Sequence, residues 1–173
     1  KRYKNSKMKV DEDAVLRARL FDIFLNDWDR HDDQWRWASF EKDGKTIVRP
    51  IPRDRDQVFF FSDGKIPKIM RRKWILPKFQ VFDSITENIS GLGFNSRYFD
   101  RSFLSSQTKE DWIKMAHELS AKLSDEVIEA AILDLPSEVY PLSGEEIISK
   151  LKGRRDNLPR MAEEFYSFLA KEV

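Results

Sequence analysis

The chain has 173 residues, 40% of them apolar and 13% aromatic, which is enough to bury the core of one domain of ordinary size and argues against disorder. Its 31 basic and 30 acidic residues leave a net charge of +1, so no global field draws it to nucleic acid or an anionic membrane. Cysteine is absent, which excludes disulfides, thiolate metal sites and cysteine nucleophiles, and no apolar run approaches the roughly 20 residues of a transmembrane helix.

In chain order, residues 1–10 are basic and polar (Lys1, Arg2, Lys4, Lys7, Lys9) and read as a linker or a frayed helix start. A helix is predicted from Asp11 to Leu25, because Leu16, Leu20, Ile23 and Phe24 form one apolar stripe and Asp11, Glu12 and Asp13 sit where a helix dipole favours negative charge. Asn26 to Gln34 (NDWDRHDDQ) is polar and aperiodic, hence a loop. Two strands follow, Trp35–Phe40 and Thr46–Ile51, joined at Lys42-Asp43-Gly44-Lys45, where Asp-Gly supplies a hairpin turn. Pro50 and Pro52 are expected to end the second strand, since proline lacks the ladder donor. Residues 53–57 (RDRDQ) form a second acidic loop, and Val58–Phe61 is apolar again.

Residues 62–107 carry scattered Gly, Pro and Ser and a basic stretch at Lys68, Arg71, Arg72 and Lys73, which predicts short helices and long loops. Residues 108–173 read as a helical bundle. Thr108 caps a helix with Trp112, Met115, Ala116, Leu119 and Leu123 on one face, and Ser124 caps the next with Val127, Ile128, Ala131 and Ile132. Ser143 and Glu146 have capping-box spacing ahead of Ile147, Ile148 and Leu151, and a last helix carries Leu158, Met161, Ala162, Phe165, Phe168 and Leu169. The whole is expected to be one α+β domain, predominantly helical, with a small β-hairpin. Opening at Lys1 without an initiator Met, the sequence reads as an excised or processed piece of a longer protein.

The chemistry is expected around the hairpin. Asp27, Asp29, Asp32 and Asp33 precede it, and Asp54 and Asp56 follow it. A hairpin brings its two flanks together, and converging carboxylates repel unless a cation intervenes. Oxygen ligands of this kind suit Mg²⁺, Mn²⁺ or Ca²⁺.

The run Asp29-Arg30-His31-Asp32-Asp33-Gln34, then a hairpin, then Asp54-Arg55-Asp56, resembles the DRHxxN catalytic loop and D-x-D metal loop of phosphatidylinositol kinases and of atypical kinases of the CotH and HipA groups. The match covers about residues 16–60, with Gln34 at the usual Asn position. The resemblance implies a kinase C-lobe-like fold, with Asp29 as the catalytic acid-base residue, Gln34 with Asp54 or Asp56 as metal ligands, and Arg30 and His31 orienting the loop or contacting phosphate. Phosphoryl transfer needs a carboxylate near the attacking hydroxyl and a metal bridging phosphate oxygens. Only 28 residues precede Asp29, without a Gly-rich loop or a strand lysine for the phosphates. ATP binding is thus expected only in the full-length protein, whose missing N-terminal lobe or neighbouring domains are the implied partners.

The segments WDRHDDQWRW and PIPRDRDQ are also similar to stretches of long bacterial surface proteins with a phosphoesterase domain and an outer-membrane barrel. That likeness favours an exported or cell-surface setting and a non-catalytic connecting module. A metal-dependent hydrolase would use the same acids, with only His31 and His117 as histidines.

Overall fold

The computed structural model describes residues 8–61 and 78–171, a predominantly helical α+β fold. The basic stretch at residues 68–73 lies outside the described residues. Strand β1 is Met8–Val10, β2 is Trp35–Lys42 and β3 is Lys45–Pro52, and the sheet order is β1-β3-β2. The helices are α1 Glu12–Leu25, α2 Ile89–Leu92, α3 Arg97–Leu104, α4 Lys109–Lys122, α5 Asp125–Leu133 and α6 Tyr140–Lys171.

Helix α1 starts where Asp11 accepts a hydrogen bond from the Ala14 amide, and ends at Asn26, whose φ of 61° is tolerated by a short amide side chain. Its buried arc holds Val15, Leu16, Leu20, Ile23 and Phe24, each contributing roughly 1.5–3 kcal/mol by leaving water, but it also holds Arg19 and Asp22. The hairpin is a tight two-residue turn with both Asp43 (φ 52°) and Gly44 (φ 71°) in the left-handed region, the conformation that matches the twist of the strands.

Several expectations are corrected. The segment read as a linker supplies strand β1, which pairs in parallel with Thr46–Val48 of β3. The prolines do not end β3, which runs through Pro52. Arg53 N–H points to the β2 side, onto Gln34 O, so by alternation the nitrogens of Pro50 and Pro52 face the other edge, which β1 covers only as far as Val48. No donor is needed there. Ser143 opens no helix. It lies inside α6, its hydroxyl turned back onto Val139 O, and the two expected C-terminal helices are one. That continuity survives Pro159, which cannot donate to the Arg155 carbonyl four residues earlier. The Ser120 hydroxyl of α4 donates to that carbonyl instead, at 3.1 Å. On α5 only Ile128 and Ile132 are buried, while Val127 and Ala131 face solvent.

The core lies where α1, α4 and α6 converge. Trp112, Phe165, Leu158 and Met161 are fully buried there. The inner face of the sheet stacks Trp35 on Phe99 of α3 with ring centroids 4.3 Å apart, and Trp37 packs on Phe103. Among the described residues no helix is long and apolar enough to cross a membrane.

Candidate functional site

The loop 26–34 ends in a 3-10 turn, Asp32–Gln34, closed by reciprocal contacts between His31 and Gln34. Gln34 is buried, and its Oε1 accepts the His31 N–H at 3.3 Å. Its Nε2 donates to Asp54 Oδ2 at 3.3 Å, across the base of the hairpin. Asp54 holds φ 59°, a left-handed conformation that short polar side chains tolerate. His31, Asp33, Gln34, Arg36, Arg53 and Asp54 line one open cleft of about 560 Å³. The hairpin therefore joins the end of the first acidic loop to the start of the second.

The other candidates are distributed differently. Asp29 is about a third exposed and turns toward a different group of residues: Oδ1 accepts from Asn95 Nδ2 at 2.9 Å and lies 3.6 Å from Lys78 Nζ. Lys78 also sits over the Trp28 ring, 5.5 Å from its centroid, and Trp28 packs edge-on against Phe60 and Phe79. Asp56 accepts from Gln57 on the surface. Asp27 is buried and belongs to the ion network beneath the loop. Among the described residues no three acidic or histidine side chains converge on one point.

Arg30 is fully buried. Its Nη2 donates to Asp27 Oδ2 at 2.5 Å, its Nε lies 3.1 Å from Asp22 Oδ2 without hydrogen-bond geometry, and its Nη1 donates to the Arg53 carbonyl. One guanidinium thus ties the first acidic loop to the second through backbone. Asp22 is the hub of this network. Its Oδ1 accepts from Arg55 Nε at 3.0 Å and Nη2 at 2.9 Å, and its Oδ2 from Arg19 Nη1 at 3.1 Å. Arg19 in turn grips Asp100 through Nε at 2.6 Å and Nη2 at 3.1 Å, and donates to the Ser96 hydroxyl at 2.6 Å. Arg19, Arg30 and Arg55 balance Asp22, Asp27 and Asp100, three charges of each sign. Burial alone would lower the Arg19 pKa, but Asp100 and Asp22 outweigh it and hold the guanidinium charged.

Sequence reasoning missed Asp22, Arg19, Asn95 and Lys78. The first two had a signal: they fall inside the apolar arc of α1, where a charge survives only if paired. Asn95 and Lys78 come from the irregular segment and had none.

Asp27 has a consequence that can be measured. Burial raises its pKa, and the charge of Asp22 adds to this against the pull of Arg30. Its Oδ1 has no hydrogen-bond partner among the described residues. As pH falls the folded state takes up this proton before the unfolded state does. The stabilisation is full below the ordinary carboxylate pKa of about 3.9 and is lost as pH rises through the folded value. The melting temperature of the parent minus that of Asp27→Asn should therefore rise on acidification from neutral pH. A difference that stays flat would show that Asp27 titrates normally.

Comparisons with protein-family models, with curated proteins and with solved structures find no match to this chain.

Proposed function

We propose that the chain is the catalytic-loop half of a kinase-like phosphotransferase domain, its second half supplied by other parts of a longer protein. The observation that carries this reading is the Gln34–Asp54 contact across the hairpin base. It gives one cleft two oxygen-bearing side chains from the two segments that the DRHxxN-type resemblance assigns to metal. Mg²⁺ needs only one or two carboxylates, with water and substrate phosphates completing its shell. Asp54 meets that demand as it stands, and Gln34 would add its oxygen if its amide turned toward Asp54 and gave up the His31 N–H contact. Such an ion, when bound, would neutralise phosphate charge. Asp29 would accept the proton of the attacking hydroxyl, its Oδ1 anchored by Asn95 and its Oδ2 left without a donor among the described residues.

A second reading has its own support. Arg30 and Arg55 both spend their guanidinium groups on the buried Asp22, which suits a connecting module whose loop charges serve the fold. Mn²⁺ titration of the chain by calorimetry separates the two. On the phosphotransferase reading, Asp54→Asn weakens Mn²⁺ binding by roughly tenfold to a hundredfold, the scale on which metal sites respond to lost partners. Asp29→Asn leaves it nearly unchanged. Absence of Mn²⁺ binding in the parent chain would favour the module.

A further inference from the structure

The outer face of the sheet carries a charge pattern of which the hairpin site uses only Arg36. Paired strand residues project to the same side, so Arg36, Ala38, Phe40 and Lys42 of β2 share a face with Ile51, Arg49, Ile47 and Lys45 of β3. Lys9 of β1, opposite Ile47, joins them. The opposite face holds Trp35, Trp37 and Val48 and packs on the core. On the outer face Phe40 is 48% and Ile51 47% exposed. These two, with Ile47 and Ala38, make an apolar centre. Cations surround it: Arg36 at the base, Lys42 and Lys45 at the tip, Lys9 on one edge, and Arg49 lying over the Phe40 ring at 5.3 Å. Arg49 is paired with Asp11, but Lys9, Lys42 and Lys45 meet no carboxylate among the described residues. Five cations on one face of a chain of net charge +1 make a local field that the whole molecule lacks.

We infer that this face docks an acidic amphipathic helix of a partner, its apolar stripe on Phe40, Ile47 and Ile51 and its flanking carboxylates on the surrounding Lys and Arg. Two strands of eight residues and one of three, at about 3.3 Å per residue and about 4.8 Å between strands, give the face roughly 300 Å². That is under half of the roughly 800 Å² per partner of a stable globular interface, but it matches one helix about 10 Å wide. An apolar centre within a charged rim is the anatomy of a protein contact. An anionic bilayer fits less well, because the acidic loops at the base of the hairpin bring Asp32, Asp33, Asp54 and Asp56 next to the sheet. Single-stranded nucleic acid finds one exposed ring, Phe40, for stacking among the described residues of this face.

The test uses the chain with a fluorescent peptide of about 18 residues, about 27 Å long as a helix, with a leucine stripe flanked by glutamates. Its counterpart carries lysines in place of the glutamates. A deoxythymidine oligonucleotide and phosphatidylserine-containing vesicles complete the set. The acidic peptide should bind with an affinity that falls as salt rises, and the basic peptide should not. Lys42→Glu with Lys45→Glu, and separately Phe40→Ser, should each weaken binding about tenfold or more, an effect of roughly one decade per 1.4 kcal/mol. Lys114→Glu on α4 should leave it unchanged. All these side chains are exposed, so melting temperatures report folding independently. Equal binding of the two peptides, insensitivity to both hairpin variants, or preference for the oligonucleotide or the vesicles would overturn the proposal.

Discussion

Asp22→Asn lowers the unfolding free energy by about 3–5 kcal/mol, the range for breaking a buried ion pair from one side. Asp22 is 1% exposed and receives contacts from three guanidinium groups, Arg19, Arg30 and Arg55. Asparagine keeps the volume but leaves three cations against two anions beneath the loop. Arg19 retains Asp100 and Arg30 retains Asp27, whereas Arg55 retains no described carboxylate. Because Arg55 is about a quarter exposed, it relaxes toward water and limits the damage on its side. Chemical denaturation at neutral pH checks the result, and Asp22→Asn with Arg55→Gln tests its cause. Restoring charge balance should recover part of the loss, as a coupling of about 0.5–3 kcal/mol. A loss below about 1 kcal/mol for the single variant would place it among ordinary surface pairs and remove the network from the account of the fold.

On the phosphotransferase reading, Asp29→Asn in the parent protein reduces phosphate transfer by about 10²–10⁴-fold, the contribution of a positioned acid-base group. Asparagine can still accept the Asn95 bond that fixes the Asp29 rotamer, so the loop keeps its shape. What it loses is the ability to take a proton. The loss should fall on turnover, with Mn²⁺ affinity and melting temperature close to those of the parent. Turnover that survives Asp29→Asn would sink the phosphotransferase reading. Asn95→Ala provides a graded control: the carboxylate remains but its anchor is gone, so turnover should drop less than in Asp29→Asn.

Local signals in the sequence were enough for most helices and for the hairpin. Thr108 and Ser124 each cap the helix that their spacing announced, Asp11 caps the helix it was expected to begin, and Asp43-Gly44 turns the hairpin. Where a local signal competed with tertiary structure, the tertiary contact prevailed. Ser143 had capping-box spacing, yet α6 begins earlier, at Tyr140, and Pro159 is accommodated because a serine on another helix reaches its orphaned carbonyl. The meeting of the two acidic loops followed from hairpin geometry, which explains why Gln34 and Asp54 share a cleft. Their separation from Asp29 did not, because Asn95 and Lys78 are contributed by chain far downstream. Arg154 stands beside Lys152 and Arg155 in the sequence. Its place between Leu151 and Leu158 on the buried arc of α6 was the signal for its burial.

That arginine sets an order of events for synthesis on the ribosome. Its Nε and Nη2 donate to Phe24 O and Ile23 O at 2.6 Å, closing the C-terminal end of α1, while Nη1 binds Asp83 O at 2.7 Å and Thr86 Oγ1 at 2.8 Å. Burial pulls its pKa down to about 10, which still leaves it cationic at neutral pH. Gly153 lets the helix come this close, since a Cβ there would lie 2.8 Å from Ser84 Cβ. The end of α1 is where the first acidic loop begins, and its cap is translated some 130 residues later. Folding dominated by such distant contacts is slow and cannot be completed on a partial chain. A nascent chain that has emerged only as far as α5 can cover α1 with β3, α3 and α4 but not with α6, and leaves the C-terminal end of α1 without its Arg154 contacts until α6 leaves the exit tunnel.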